Sequence, residues 1–145
     1  MKPITAGLLL GLLAIHPLVA QGSAGSEDIK AIQGDWTMVS ATLNGQTFSG
    51  VAGTRHVAGD TTTVTVNDQL LMRAIFVLNP SASPKTIDYQ ILEGPDRRSH
   101  QVGIYQWSDS TLSFCLASPG GARPTEFESK AGDGRTCSAW TRAAR

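Results

Sequence analysis

Beyond the apolar N-terminal run, the residues that chemistry could use are two of the three histidines, two cysteines and a pair of glutamates, and their spacing limits what each can do. His56 and His100 stand alone. Neither belongs to a His-x-x-x-His spacing that would set two imidazoles on one metal, so both read as surface or strand-edge residues. Glu126 and Glu128 share one face of an expected strand opposite Phe127. Paired acids about 5–10 Å apart can hydrolyse glycosides, but a solvated strand face explains this pair without catalysis. Cys115 as a nucleophile needs exposure and a neighbouring base, whereas a cysteine at a strand centre reads as structural. No serine sits in a Gly-x-Ser-x-Gly elbow. The Ala131-Gly132-Asp133-Gly134 turn offers one acidic oxygen donor where a calcium loop needs several. Gly120-Gly121 has no phosphate-cradling context and reads as a turn. The expectation is a protein that is not an enzyme, with no metal and no cofactor.

Binding is the chemistry left. Trp36, Trp107, Trp140, Tyr89, Tyr105, Phe76, Phe114 and Phe127 are spread over most of the expected strands. Their first use is to fill an interior; their second is to line a ligand cup. Tyr89, Tyr105 and Trp107 are the residues expected to contact a ligand. In Thr136–Arg142, Trp140 shares a face with Thr136, Ser138 and Arg142, while Cys137 falls on the other with Ala139 and Thr141. A mixed aromatic and polar face of this kind suits either a small amphipathic ligand or a polar outer wall.

The elements that position these residues follow a leader. Lys2 precedes an apolar run from Ile4 to Val19, and a small and polar exit, Gln21 to Ser26, comes next. This is the pattern of a secretory signal peptide. Cleavage after Ala24, with Gly22 and Ala24 at the selective positions, is favoured over cleavage after Ala20. A retained anchor is the alternative, but the run is short and broken by Pro17, and a spanning helix needs about 20 apolar residues. Gln21 stands where lipidation would need a cysteine. Residues 1–24 are therefore expected to be leader, and 25–145 one small exported domain, periplasmic or secreted, with no stable membrane span. Twelve basic and twelve acidic side chains balance, so the field that nucleic acid requires is missing. Export puts Cys115 and Cys137 where a disulfide can persist; the pair reads either as that bridge or as two buried small apolar side chains.

Period-two alternation bounded by Gly, Pro, Asn, Asp and Ser predicts strands almost throughout. A short helical turn at Glu27–Ile32 leads in. Strands are expected over 35–43, 54–58, 61–66, 69–78, 86–91, 100–107, 111–117, 125–129 and 135–142, with 46–53 as loop. Asn44-Gly45 is a hairpin dipeptide, since both residues tolerate positive φ. Ile87, Tyr89 and Ile91 share one face, and Leu112, Phe114 and Leu116 another. Eight to nine short strands with brief turns predict an all-β antiparallel meander. Open edges invite aggregation, so the sheet is expected to close into a small barrel whose interior can hold one ligand. A β-sandwich is the alternative.

Ala31–Ser40, Pro84–Asp88, Glu93-Gly94-Pro95, Gly103-Ile104-Tyr105, Leu112–Cys115 and Arg123–Phe127 run in order over nearly the whole exported part. Together these segments resemble a family of small exported domains of unknown function typical of planctomycete-type bacteria. Cys115 matches a frequent cysteine of that family and Cys137 does not, so the resemblance implies no bridge. Gly34-Asp35-Trp36 is also similar to the first-strand signature of lipocalins. There the tryptophan closes one barrel end under an arginine of the last strand, which implies that Trp36 and Arg142 form a structural closure. The reading is an exported, non-catalytic, lipocalin-like barrel that binds a small apolar or amphipathic molecule or an envelope component. Its alternatives are a structural or protein-interaction module of the cell envelope with no cavity, partnered by an envelope protein, and an envelope hydrolase with dispersed catalytic groups.

Overall fold

The computed structural model describes residues 22–145. The expected leader up to residue 21 lies outside the described residues. The described residues begin with helix α1, Gly22–Ile32, longer than the single turn expected. Glu27, Lys30 and Ala31 favour helix. Ile29 and Ile32, three apart, turn one face inward; Ile32 is buried and Ile29 packs against the core. The helix stops at Gly34, whose φ of 100° suits a residue without Cβ.

Nine antiparallel strands follow: β1 Gly34–Leu43, β2 Gln46–Ser49, β3 Gly53–Ala58, β4 Thr61–Val66, β5 Gln69–Asn79, β6 Thr86–Glu93, β7 His100–Ser108, β8 Thr111–Leu116 and β9 Thr136–Arg142. Strands β3 to β9 form a meander, and β1 pairs with both β3 and β9, so the sheet closes into an eight-strand barrel with β2 as an extra strand. The sandwich alternative falls to this β1–β9 pairing, which runs from Trp36 opposite Arg142 to Leu43 opposite Thr136 with a bulge between Met38 and Ser40. Closure removes the two open edges that a meander would leave.

β1 serves two neighbours on its other side. Gly34–Thr37 pair with β3, and Ser40–Leu43 pair with β2 through the Asn44-Gly45 turn, where both residues have positive φ. The barrel is therefore splayed where β1 leaves β3. Residues 46–49, expected as loop, are strand β2. All four are exposed, so no burial alternation marks them in the sequence.

Residues 125–129, expected as strand, are not one: they lie in the long connection from Ala117 to Arg135. Both edges of β8, the strand this segment follows, are already used, by β7 and β9, so it cannot pair back onto β8 as a hairpin. The connection is held by side chains instead. Ser129 Oγ accepts from the Gly45 amide at 3.0 Å and donates to the Arg135 carbonyl at 2.9 Å. Arg123 donates to the Gly103 carbonyl at 2.8 Å and pairs with Asp88 at 2.7 Å. Cys115 and Cys137, opposite each other on β8 and β9, are joined in a disulfide, S–S 2.05 Å.

The core lies inside the barrel. Inward-facing Val57, Val64, Phe76, Ile87, Tyr89, Leu112, Phe114 and Trp140 are all buried. No helix among the described residues is long and apolar enough to cross a membrane.

Candidate functional site

The two ends of the barrel differ. One is stoppered by α1. Trp36 Nε1 donates to the Ile32 carbonyl at 2.9 Å, and Arg142 lies 4.0 Å over the Trp36 ring while donating to the carbonyls of Gln33 and Ala31. Gln33 exchanges two hydrogen bonds with the backbone of Gly59 in the β3–β4 turn, at 2.9 and 2.7 Å. Asp28 reaches the far wall, accepting from the Tyr105 hydroxyl at 2.6 Å and from Lys85 Nζ at 3.0 Å. Trp107 meets the Tyr105 ring edge-on, 5.7 Å between centroids. Burial raises the Tyr105 pKa, and the hydrogen bond to the Asp28 carboxylate raises it further. This hydroxyl is a fixed donor that latches the helix.

The opposite end is open. A cavity of about 410 Å³ enters the barrel there. Met38, Leu43 and Phe48 of the splayed β1–β2 hairpin form one wall, and Leu71, Met72 and Leu116 stand across from it. Polar groups are few: Asn67, Asp96 and Gln101, with Thr136 and Ser138 on the β9 face that also carries Trp140. That mixed face of β9 is thus a cavity wall and not an outer surface. Pockets of 300–1,000 Å³ with apolar walls and a few polar groups are the common form of small-molecule sites.

Arg55 lines this cavity. It is an inward residue of β3 and only 3% exposed. Its guanidinium lies over two aromatic rings, 4.3 Å from the Phe114 centroid and 4.7 Å from that of Trp140. Nη1 donates to Thr62 Oγ1 and to the Tyr89 hydroxyl, each at 3.2 Å. Nε is buried without a partner. Among the described residues, no carboxylate lies within 4.0 Å of the guanidinium. Burial also raises the Tyr89 pKa, partly opposed by the Arg55 charge, so the Tyr89 hydroxyl stays protonated beside it.

The three expected ligand contacts do not converge on the cavity. Tyr89 stands behind Arg55, packed edge-on against Phe76 at 6.4 Å. Tyr105 and Trp107 belong to the helix end, where they flank a shallow recess with Pro80, Pro84 and Phe127. Trp36 and Arg142 are brought together at that same end.

The other chemistry-bearing residues are dispersed. His56 pairs with Asp35 at 2.6 Å on the outside of the barrel, and His100 is exposed. Glu126 and Glu128 both face Lys130, at 3.9 and 3.5 Å. No group of three His, Cys, Asp or Glu side chains comes together among the described residues.

Arg55 is the residue that sequence reading missed. Its signal was parity: within Gly53–Ala58 it shares the face of Val57, a cation on the apolar side of a strand. Comparison with known proteins finds no family, no curated protein and no solved structure that matches this chain.

Proposed function

We propose that this chain is an exported, non-catalytic β-barrel that holds a small apolar or amphipathic molecule in the cavity at its open end. The observation that carries this reading is the apolar-walled cavity of about 410 Å³, open at one end and stoppered by α1 at the other. A barrel of eight strands is just wide enough to hold one small ligand. Exposed Leu43, Phe48 and Leu71 extend the apolar lining out to the rim. Exposed apolar surface of this kind is a mark of ligand-binding grooves and interaction sites.

Export is supported by the leader pattern of residues 1–24 and by the Cys115–Cys137 disulfide, which persists in an oxidising space. Periplasm or medium is the proposed location. The resemblance to small exported domains with a Gly-x-Trp opening points the same way. A filled module that meets only proteins is disfavoured by the cavity.

The test is extraction of the purified protein with organic solvent and mass spectrometry of the extract, followed by calorimetric titration with decanol. A co-purifying lipid or a saturable heat supports the reading. An empty extract together with no heat overturns it.

A further inference from the structure

We infer that the cavity is a site for an anionic amphiphile of medium chain length, its carboxylate seated on Arg55 and its tail directed to the apolar rim. This rests on the ligand-binding reading above and names the class of ligand.

The argument begins with an uncompensated charge. Arginine is always ionised, and a buried cation is expensive unless paired. Arg55 is buried, yet its polar contacts are two neutral hydroxyls, those of Thr62 and Tyr89. Both take up Nη1 alone, and Nε has no acceptor. Asp96 is the one carboxylate in the cavity lining; it is exposed and is not within 4.0 Å of the guanidinium. The Phe114 and Trp140 rings lie against the guanidinium, their centroids 4.3 and 4.7 Å from its Cζ. They stabilise the cation but accept no hydrogen bond from Nε, which is left to be met by something else.

An oxyanion supplies what is missing. A carboxylate accepts from two guanidinium donors in one plane, and the unpartnered Nε of Arg55 is a donor free for one. The rest of the cavity asks for the opposite chemistry. Met38, Met72, Leu116 and the exposed rim residues Leu43, Phe48 and Leu71 offer no charge to a second polar group. A ligand with one charged end and an apolar body meets both demands. At about 30 Å³ per water-sized group, the volume admits roughly a dozen non-hydrogen atoms, which is the size of decanoate.

The test compares three ligands of one chain length by calorimetry at neutral pH, where decanoate is ionised: decanoate, decanol and decylamine. Decanoate is expected to bind roughly ten- to a hundredfold tighter than decanol, and decylamine weakest. In Arg55→Gln, with folding checked by circular dichroism, decanol binding is kept and the preference for decanoate disappears. Should Arg55→Gln not fold, the ranking on the unaltered protein decides alone. Equal affinities for decanoate and decanol overturn the proposal and leave the cavity as an apolar site. So does a preference that survives Arg55→Gln. Absence of binding by all three overturns both this proposal and the function on which it rests.

Discussion

Arg142 lies over the indole of Trp36, 4.0 Å from the ring centroid, and spends both terminal nitrogens on the carbonyls of Gln33 and Ala31. One side chain of the last strand thus caps the C-terminal end of α1 and covers the first-strand tryptophan. The carbonyls that a helix end leaves unpaired find donors here, and the cation gains a ring face.

Arg142→Ala should therefore loosen the helix end and weaken the whole barrel. The expected loss is about 1–3 kcal/mol, from a cation–π contact and charge-assisted hydrogen bonds at an exposed position. Arg142→Lys should recover only part of it, because an ammonium cannot span two carbonyls with a planar fork. Urea unfolding of the three proteins measures this, as a lower midpoint with an unchanged slope.

The Cys115–Cys137 bridge closes a loop of 22 residues that contains the strandless connection before β9. Constraining such a loop in the unfolded chain stabilises the fold by about 3 kcal/mol on the chain-entropy account. Replacing both cysteines by alanine, which leaves no unpaired thiol, should lower stability by that order. Since β8 and β9 keep their backbone ladder, the variant should still fold. Thermal unfolding with and without reductant checks it: reductant should lower the midpoint of the native protein and leave the variant where it is.

What the sequence disclosed was the inward face of the strands with clear alternation. Ile87, Tyr89 and Ile91 point inward as their alternation requires, and so do Leu112, Phe114 and Leu116. Asn44-Gly45 turns the first hairpin with both φ angles positive. Height along the barrel axis is another matter. It depends on register between strands far apart in sequence, so Tyr105 and Trp107, expected as ligand contacts, stand at the helix end, away from the cavity. Residues 125–129 alternate like a strand, but the preceding strand β8 is already paired on both sides, and pairing is a property of the whole sheet. Arg55 was legible by parity and was passed over because charge at a strand centre is ordinarily read as surface.

Alkaline pH should unlatch the helix. Burial, and for Tyr105 the Asp28 carboxylate as well, raises the pKa of Tyr105 and of Tyr89 above the unfolded value. In the unfolded chain these phenols ionise at about pH 10. Below that pH the folded and unfolded chains carry the same protons and stability is whole. Above it the unfolded chain releases protons that the fold retains, so stability falls as pH rises toward the folded pKa values. Urea midpoints should be flat up to about pH 9 and then decline. Tyr105→Phe should start lower, having lost the bond to Asp28, and decline less steeply.

Cavity volume and cavity charge should separate by mutation. Ala41 lines the open end on β1, in register with Ser138 of β9. Ala41→Trp puts an indole into space that a ligand tail would occupy, without touching Arg55 or the helix latch. Filling the mouth should weaken decanol and decanoate alike, by roughly tenfold or more, since each buried methylene displaced forgoes about 0.8 kcal/mol. Their ratio should be preserved, because the group that distinguishes them is deeper. The partly exposed rim can absorb the larger side chain, so the unfolding midpoint should change little. Calorimetric titration of the variant with both ligands reads the two effects separately: a uniform loss marks the mouth as the tail site, whereas unchanged affinities would place the bound molecule elsewhere on the barrel.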